Sequence, residues 1–154
     1  LGPDHLSLST SLSNLGMLYQ AVGRYAEAEP LYRRSIAICE MGLGPDHPRT
    51  AYPINNLAQL YQAQGRYSEA EPLSKRSLAI FENALGPEHH SVGTSINNLA
   101  LLYQVQARYA EAEPLFGRSL AIFEKVLGPD HPDLVRPLNN LALLYVMQGH
   151  YAKA

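Results

Sequence analysis

Apolar residues recur along the chain at the spacing of one face of an α-helix. In residues 54–61, four of them stand at i, i+3, i+4 and i+7: Ile54, Leu57, Ala58 and Tyr61. This pattern is typical of an amphipathic helix. Gly65 follows the segment, in the place of a glycine that ends a helix with a positive φ. We therefore predict a helix here, called helix A, and a tight turn after it.

A second helical pattern follows the turn and predicts helix B. Its apolar and small positions repeat at helical spacing, at Ala70, Leu73, Ser77 and Ile80 or Phe81. Gly86 ends this run. The linker GPDHP before helix A supplies Pro48 as a first helical residue, with His47 or Asp46 as its cap. Because no stretch alternates with the period of two expected of a strand, we predict only helices.

The whole helix-turn-helix pattern returns every 42 residues. LGPDH opens at residues 1, 43 and 127, and LGPEH opens at 85. Residues 43–84 and 85–126 share 27 identical positions of 42. We divide the chain into a single array of repeat 1 (1–42), repeat 2 (43–84), repeat 3 (85–126) and partial repeat 4 (127–154). Such a period is typical of a solenoid, whose neighbouring repeats stack because one repeat cannot bury its own apolar faces.

These repeats resemble tetratricopeptide repeats. The family's spacing is present as Leu15, Gly16, Tyr19, Ala28 and Tyr32; Leu57, Ala58, Tyr61 and Ala70; Leu99, Ala100, Tyr103, Ala112 and Phe116; and Leu141, Ala142, Tyr145 and Ala154. The 42-residue period, the LGPDHP linker and the NNLA segments are similar to those of kinesin light chains and of bacterial proteins sharing that repeat. The resemblance implies an all-α, right-handed α-solenoid of antiparallel helix pairs (a TPR superhelix), with helix A lining its concave surface.

Five residues depart from the repeat pattern or interrupt a helix. Ala107 stands where the other three repeats have the turn glycine, and it costs about 1 kcal/mol if that turn needs a positive φ. Ser74 replaces the aromatic residue of repeats 1 and 3, which predicts a looser repeat 2. Gly117 weakens helix B of repeat 3 by about 1 kcal/mol relative to alanine. Pro53 and Pro137 predict a bend or a late start of helix A.

Composition and charge narrow the class of protein. The chain has 154 residues, of which 46% are hydrophobic and 17% charged, with a net charge of −2, as in folded soluble proteins. A nucleic-acid-binding surface would be basic, and no apolar run is long enough for a membrane span. With no signal peptide visible, we expect a cytoplasmic location and, because the chain starts at Leu1, a piece of a longer protein. The single cysteine, Cys39, is predicted to be a buried apolar residue.

Titratable residues that recur at 42 are interpreted as parts of the repeat. One histidine recurs in each linker: His5, His47, His89 and His131. Neighbouring repeats advance by about 10 Å and a metal–nitrogen bond is about 2 Å, so no two of these histidines can bind the same metal ion. We therefore predict that they are helix caps. The carboxylates at the start of helix B favour its positive dipole end; they are Glu27, Glu29, Glu69, Glu71, Glu111 and Glu113. The basic residues of helix B are predicted to be solvated: Arg33, Arg34, Lys75, Arg76 and Arg118. We expect no enzyme activity, cofactor or metal.

One asparagine per repeat faces away from the core. With Ile54 at 0° and about 100° per residue, Asn56 lies near 200° and Asn55 near 100°. The face opposite the core is predicted to bind a peptide, and it comprises Thr10, Asn14, Met17, Tyr52, Asn56, Gln59, Thr94, Asn98, Leu101, Val105, Arg136, Asn140, Leu143 and Met147. Repeated amides can hold a peptide backbone, and exposed apolar residues indicate an interaction surface. Alternatively, Asn56 and its equivalents bond only to the neighbouring repeat.

We therefore predict a non-catalytic scaffold module that binds a peptide or protein segment in the concave helix-A groove. Family relatives that bind carboxylates need a basic residue at four equivalent positions, of which only Arg136 qualifies. An apolar peptide with one acid near Arg136 is the expected partner, and neither nucleic acid nor membrane is expected. Two alternatives stay open: a structural spacer that self-associates end to end through uncapped ends, and a regulatory arm of a larger signalling protein.

Overall fold

In the computed structural model, residues 3–149 are described, and no strand occurs among them. The chain divides into two compact units, Leu1–Ala84 and Leu85–Ala154. The helices of the N-terminal unit are α1 (Pro3–Ala21), α2 (Tyr25–Leu43), α3 (Pro48–Ala63) and α4 (Tyr67–Leu85). Those of the C-terminal unit are α5 (His90–Val105), α6 (Tyr109–Leu127), a 3-10 helix (Pro132–Leu134) and α7 (Val135–Met147). The all-α prediction is confirmed. The first helices of the repeats are α1, α3, α5 and α7, and the second helices are α2, α4 and α6.

Two of the four linker histidines, His47 and His89, cap first helices as predicted. The cap prediction is wrong for His5, which lies inside α1, and for His131, because the N-cap of α7 is Leu134, whose side chain forms no cap bond. Pro48 is the first residue of α3, and Nδ1 of His47 accepts a hydrogen bond of 3.1 Å from the backbone N–H of Arg49. Nδ1 of His89 accepts the same bond from Ser91 at the start of α5, also at 3.1 Å. Each cap satisfies a backbone donor that has no partner within its own helix.

The two prolines inside the first helices behave differently from each other. The late start expected at Pro53 is wrong, because α3 begins five residues earlier, at Pro48. Its ring removes one backbone hydrogen bond, but the residue is buried and the helix continues through it. In repeat 4 the late start is confirmed: the residues equivalent to the start of α3 form the 3-10 helix, and α7 begins only two residues before Pro137.

Within each complete repeat, a buried serine of the second helix ties it to the first helix. All three serines are fully buried. Their hydroxyls donate to backbone carbonyls 26 residues earlier: Ser35 to Ser9 at 2.9 Å, Ser77 to Ala51 at 3.1 Å, and Ser119 to Gly93 at 2.8 Å. These serines recur at 42, yet the helical pattern alone gave no reason to expect the bond.

Small residues let the paired helices approach closely. Ala28, Ala70 and Ala112 are completely buried. In repeat 1 the first helix also has a glycine, Gly16, and a Cβ built there would lie 2.8 Å from Cε1 of Tyr32. Repeat 1 thus pairs a glycine with a buried tyrosine. The expectation that Ser74 makes repeat 2 looser stays a prediction.

A carboxylate of α2 joins repeat 1 to repeat 2. Oε2 of Glu29 accepts a hydrogen bond of 2.8 Å from Arg66, and its Oε1 accepts bonds from Tyr61 (2.8 Å) and Arg33 (3.0 Å). Arg66 also stacks on the ring of Tyr61, with 3.9 Å between the guanidinium carbon and the ring centroid. Arg33 is exposed, as predicted. Its side chain also binds Glu29 and Tyr61, which the repeat pattern gave no reason to expect.

The same carboxylate has a strongly shifted pKa. Burial alone would raise the pKa of Glu29, but hydrogen bonds from Arg66, Tyr61 and Arg33 stabilise its charged form and lower the pKa from 4.5 to about 2. Sequence reasoning assigned Glu29 only to the helix dipole. It missed the contact to the next repeat, although Arg66 recurs as Arg24 and Arg108.

The turn of repeat 3 is strained, as the departure at Ala107 predicts. Ala107 has a φ of 58°, and the equivalent glycines Gly23, Gly65 and Gly149 have φ values of 76°, 74° and 75°. An alanine in this left-handed region brings its Cβ too close to the following carbonyl oxygen.

We expect Ala107→Gly to raise the free energy of unfolding by about 1 kcal/mol, because glycine adopts this φ without steric cost. The matched control is Ala121→Gly, at an exposed position inside α6, which should lower it by about 1 kcal/mol. Urea denaturation followed by circular dichroism measures both. Equal effects of the two substitutions would contradict the assignment of strain to the turn.

We expect Glu29→Gln to destabilise the chain at neutral pH and to flatten its stability profile in acid. Since the pKa is lower in the folded state, the stabilisation is present above about pH 4.5 and is lost as the pH falls towards about 2. The shift corresponds to at most about 3 kcal/mol. Thermal unfolding from pH 7 to pH 2.5 measures it. Glu27→Gln is the control, since Glu27 pairs with Arg24 on an exposed surface, and should cost under about 1 kcal/mol; matching profiles for both variants would refute the prediction.

Candidate functional site

Each compact unit has a cleft beside two first helices and the second helix between them. In the N-terminal unit, α1, α2 and α3 enclose a cleft of about 330 Å³. Its lining consists of Ser9, Thr10, Ser13, Asn14, Met17, Cys39, Arg49, Tyr52, Pro53 and Asn56. Half of these residues belong to the predicted peptide-binding face.

The C-terminal cleft occupies the corresponding place in its own unit. It lies among α5, α6 and α7, and its volume is about 580 Å³. Its lining consists of His90, Thr94, Asn97, Phe123, Pro132, Val135, Arg136, Pro137, Asn139 and Asn140. At the shared repeat positions, Asn97, Phe123 and Arg136 replace Ser13, Cys39 and Tyr52 of the N-terminal cleft. The two clefts therefore share a position in the repeat but differ in chemistry.

Hydroxyl groups and one thiol line the inner side of the N-terminal cleft. Oγ of Ser9 lies 2.8 Å from Oγ of Ser35 and 3.0 Å from Sγ of Cys39. Oγ of Ser13 lies 2.8 Å from the same Ser35 hydroxyl. Cys39 is buried, as predicted. These groups bond to one another and hold α1 against α2.

In the C-terminal unit an asparagine of one repeat bonds to an asparagine of the next. Nδ2 of Asn140 donates to Oδ1 of Asn97 at 2.9 Å. Asn97 is only 2% exposed, and its own Nδ2 is buried with no hydrogen-bond partner in the part of the chain that the structure describes. A buried amide donor without a partner is costly. Asn97 therefore offers an unused donor in the lining of the C-terminal cleft.

The two asparagines that line the N-terminal cleft have no such bond, and both stand at the repeat position of Asn140. The side chains of Asn14 and Asn56 form no hydrogen bond with any residue between 3 and 149. Asn14 is exposed and Asn56 is half-buried. Both amides are accessible from the cleft, and each can donate and accept hydrogen bonds.

Aromatic contacts fix one wall of each cleft. The ring of Tyr52 meets that of Phe81 edge to face, with centroids 4.9 Å apart and planes at 69°. His90 and Phe123 form the same arrangement in the C-terminal unit, at 5.1 Å and 69°. Arg136 is exposed and lines that cleft with them. The C-terminal cleft thus combines a cationic group, an apolar ring and a buried amide.

Eight of the fourteen residues predicted to bind a peptide line one of the two clefts. Five are in the N-terminal cleft and three in the C-terminal cleft: Thr10, Asn14, Met17, Tyr52 and Asn56, then Thr94, Arg136 and Asn140. The other six are outside both linings: Gln59, Asn98, Leu101, Val105, Leu143 and Met147. Among them Asn98 is buried, at 7% exposed, and Leu101 is half-buried, where the helical position predicted open surface.

The apolar part of the predicted face is largely open to solvent. Four of its five apolar residues are about half exposed: Met17 (52%), Val105 (51%), Leu143 (54%) and Met147 (47%). The sulfur of Met147 accepts a hydrogen bond of 3.3 Å from Nε2 of Gln104. These residues add apolar contact area beside polar clefts.

Sequence reasoning missed Asn97 as a site residue. It placed the first asparagine of each NNLA segment at the shoulder of the helix and gave weight only to the second, because repeat 1 has Ser13 at the shoulder position. The residue at that shoulder position determines whether the asparagine of the next repeat has a hydrogen-bond partner, since Asn97 accepts from Asn140. In the sequence, the serine of repeat 1 at the position where the other repeats have this asparagine was the feature that could have indicated its role.

No other kind of site is visible in the described part of the chain. Residues 3–149 contain no group of three or more histidine, cysteine or acidic residues that could hold a metal ion. Among the described helices, none has the length and apolar character that a membrane crossing requires. The predicted repeat residue Ala154 and the histidine at 150 lie outside the described residues.

Comparisons with known proteins agree with the repeat pattern. The family profile of the tetratricopeptide repeat matches residues 7–83, 53–104 and 91–154. The crystal structure of BtubC (BKLC) from P. vanneervenii superposes with a TM-score of 0.85 at 26% identity, over 96% of this chain and 59% of that one. This chain thus spans about three-fifths of that protein's length. A search of curated proteins finds no match.

Two further solved structures are similar to the chain. The nearly identical TPR-like repeats of a kinesin light chain from Podosopora anserina superpose with a TM-score of 0.84 at 32% identity, over 95% of this chain and 69% of that one. The Sgt2 TPR domain from Aspergillus fumigatus, at 18% identity and a TM-score of 0.68, covers 99% of this chain and 84% of its own, and shares the fold. The chain belongs to the tetratricopeptide repeat family and is of the kinesin light chain-like type.

Proposed function

We propose that the chain is a non-catalytic scaffold module that binds an extended peptide or protein segment in the clefts lined by its first helices. Membership of the tetratricopeptide repeat family supports an interaction scaffold in general. One observation carries the finer proposal: each cleft contains an asparagine Nδ2 donor without a partner in residues 3–149, that of Asn56 in one and that of Asn97 in the other.

An extended peptide fits this chemistry because its backbone presents N–H and C=O groups at regular intervals. A side-chain amide can satisfy either kind of group without reading the peptide's sequence. Half-exposed apolar residues such as Met17 and Leu143 would cover apolar side chains of the peptide. The proposed partner is therefore a segment with apolar residues, held mainly through its backbone.

The C-terminal cleft adds a preference for an acidic group. Arg136 supplies a guanidinium, which favours carboxylates because of its charge and its forked donors. Nδ2 of Asn97 offers a buried donor in the same lining, and Phe123 offers an apolar surface. We propose that an aspartate or glutamate of the peptide binds near Arg136.

Selection from a library of random displayed peptides tests this function. Wild-type chain should enrich apolar peptides that carry an acid, and Arg136→Ala should weaken their binding about tenfold, as expected for one charge-assisted hydrogen bond. Asn56→Ala should weaken peptides that occupy the N-terminal cleft about fivefold. Fluorescence anisotropy with the selected peptides measures each change.

Matched controls make the outcome specific. Arg34→Ala removes an exposed guanidinium outside both clefts, and Asn83→Ala removes an exposed amide of α4; neither should change affinity more than about twofold. The proposal fails if no peptide is enriched. It fails equally if the two cleft variants bind the selected peptides as tightly as the wild type does.

Self-association is the second candidate function. Leu18 of α1 and Val22 of the turn after it are 66% and 69% exposed, and neighbouring exposed apolar residues favour contact with another protein surface. Sedimentation equilibrium over a hundredfold concentration range tests it. A mass that rises with concentration, and returns to that of one chain in Leu18→Gln, would favour this candidate; a constant single-chain mass would remove it.

A further inference from the structure

The two units contain an internal comparison at one pair of positions. In the C-terminal unit, Asn140 of repeat 4 donates to Asn97 of repeat 3 at 2.9 Å. In the N-terminal unit the equivalent positions are Asn56 of repeat 2 and Ser13 of repeat 1. Both pairs line the cleft of their unit. The second asparagine is the same in each case, and the residue of the preceding repeat is what differs.

Ser13 does not take the role of Asn97. Its hydroxyl lies 2.8 Å from the hydroxyl of Ser35 on α2, within the group of hydroxyls that joins α1 to α2. A serine side chain is also shorter than an asparagine side chain and lacks the amide oxygen that accepts from Asn140 in the other unit. Asn56 accordingly forms no hydrogen bond with residues 3–149.

We infer that Ser13 is a specificity-determining residue: its short side chain bonds to Ser35 and does not reach Asn56, which leaves the amide of Asn56 for a peptide backbone. The inference rests on the proposed function and makes it more specific. Asn140 has its donor engaged between repeats, whereas Asn56 and Asn14 present complete amides on α3 and α1 within one cleft. The N-terminal cleft is then the part of its own unit that holds the backbone of an extended peptide.

The substitution Ser13→Asn tests this by supplying the missing acceptor. We expect the new asparagine to accept from Asn56, as Asn97 accepts from Asn140, and to weaken binding of a peptide selected on the wild-type chain about fivefold. Ser11→Asn is the matched control for affinity, because it adds the same amide to α1 at an exposed position outside both clefts, and it should leave the affinity within about twofold. Ser13→Ala removes the contact to Ser35 without adding an acceptor, and it serves as the control for amide exchange.

A second readout needs no peptide. In nuclear magnetic resonance spectra of the ¹⁵N-labelled chain, the side-chain amide of Asn56 should exchange with water faster than that of Asn140. In Ser13→Asn the exchange of the Asn56 amide should slow to resemble that of Asn140, while Ser13→Ala should leave it fast. If Ser13→Asn does not fold, Asn97→Ser provides the reverse test, since it should speed exchange at Asn140.

The two readouts separate failure of this inference from failure of the proposed function. Unchanged amide exchange at Asn56 in Ser13→Asn, or at Asn140 in Asn97→Ser, would overturn the role of Ser13. Slowed exchange with unchanged peptide affinity would also overturn it, because Asn56 would then not be the group that holds the peptide. If the wild-type chain selects no peptide at all, the proposed function fails and the assignment of Ser13 to ligand binding fails with it.

Discussion

Close contact between the two helices of a repeat is the constraint on which the rest of the structure depends. Ala28, Ala70 and Ala112 are completely buried where the helices meet, and any larger side chain there would push the helices apart. A buried serine adds one hydrogen bond to a backbone carbonyl of the first helix in each of these repeats. One face of the first helix therefore packs on the second helix, and another face of the first helix lines a cleft.

Neighbouring repeats are then joined by polar contacts that differ from one junction to another. Between repeats 1 and 2, Glu29 receives hydrogen bonds from Arg66, Tyr61 and Arg33. Between repeats 3 and 4, the equivalent Glu113 receives a longer bond of 3.4 Å from Gln148, and Asn140 bonds to Asn97. The same amide position therefore bonds to the neighbouring repeat at the junction of repeats 3 and 4, whereas Asn56 at the junction of repeats 1 and 2 has no hydrogen-bond partner among residues 3–149.

Local rules were enough to predict much of the fold. The 42-residue period predicted the helices, and the linker sequence predicted His47 as a helix cap. The alanine in place of the turn glycine predicted the positive φ of Ala107. Each of these depends on residues close together in sequence. The late start at Pro53 was wrong, because α3 begins at Pro48 and runs through the buried proline. The alternative, a bend at Pro53, stays a prediction. The bonds of Glu29 to Tyr61 and Arg66, and the bond of Asn97 to Asn140, were missed because they join residues more than 30 apart, where helical spacing says nothing about distance.

A crystal structure of the chain with a peptide selected from the random library tests the central claim most directly. We expect an extended peptide whose backbone groups lie within hydrogen-bond distance of the Asn56 amide if it occupies the N-terminal cleft. If it occupies the C-terminal cleft, we expect its acidic side chain beside Arg136, with the bond between Asn97 and Asn140 retained. A peptide bound on the outer face of α2, α4 or α6, with both clefts empty, would contradict it.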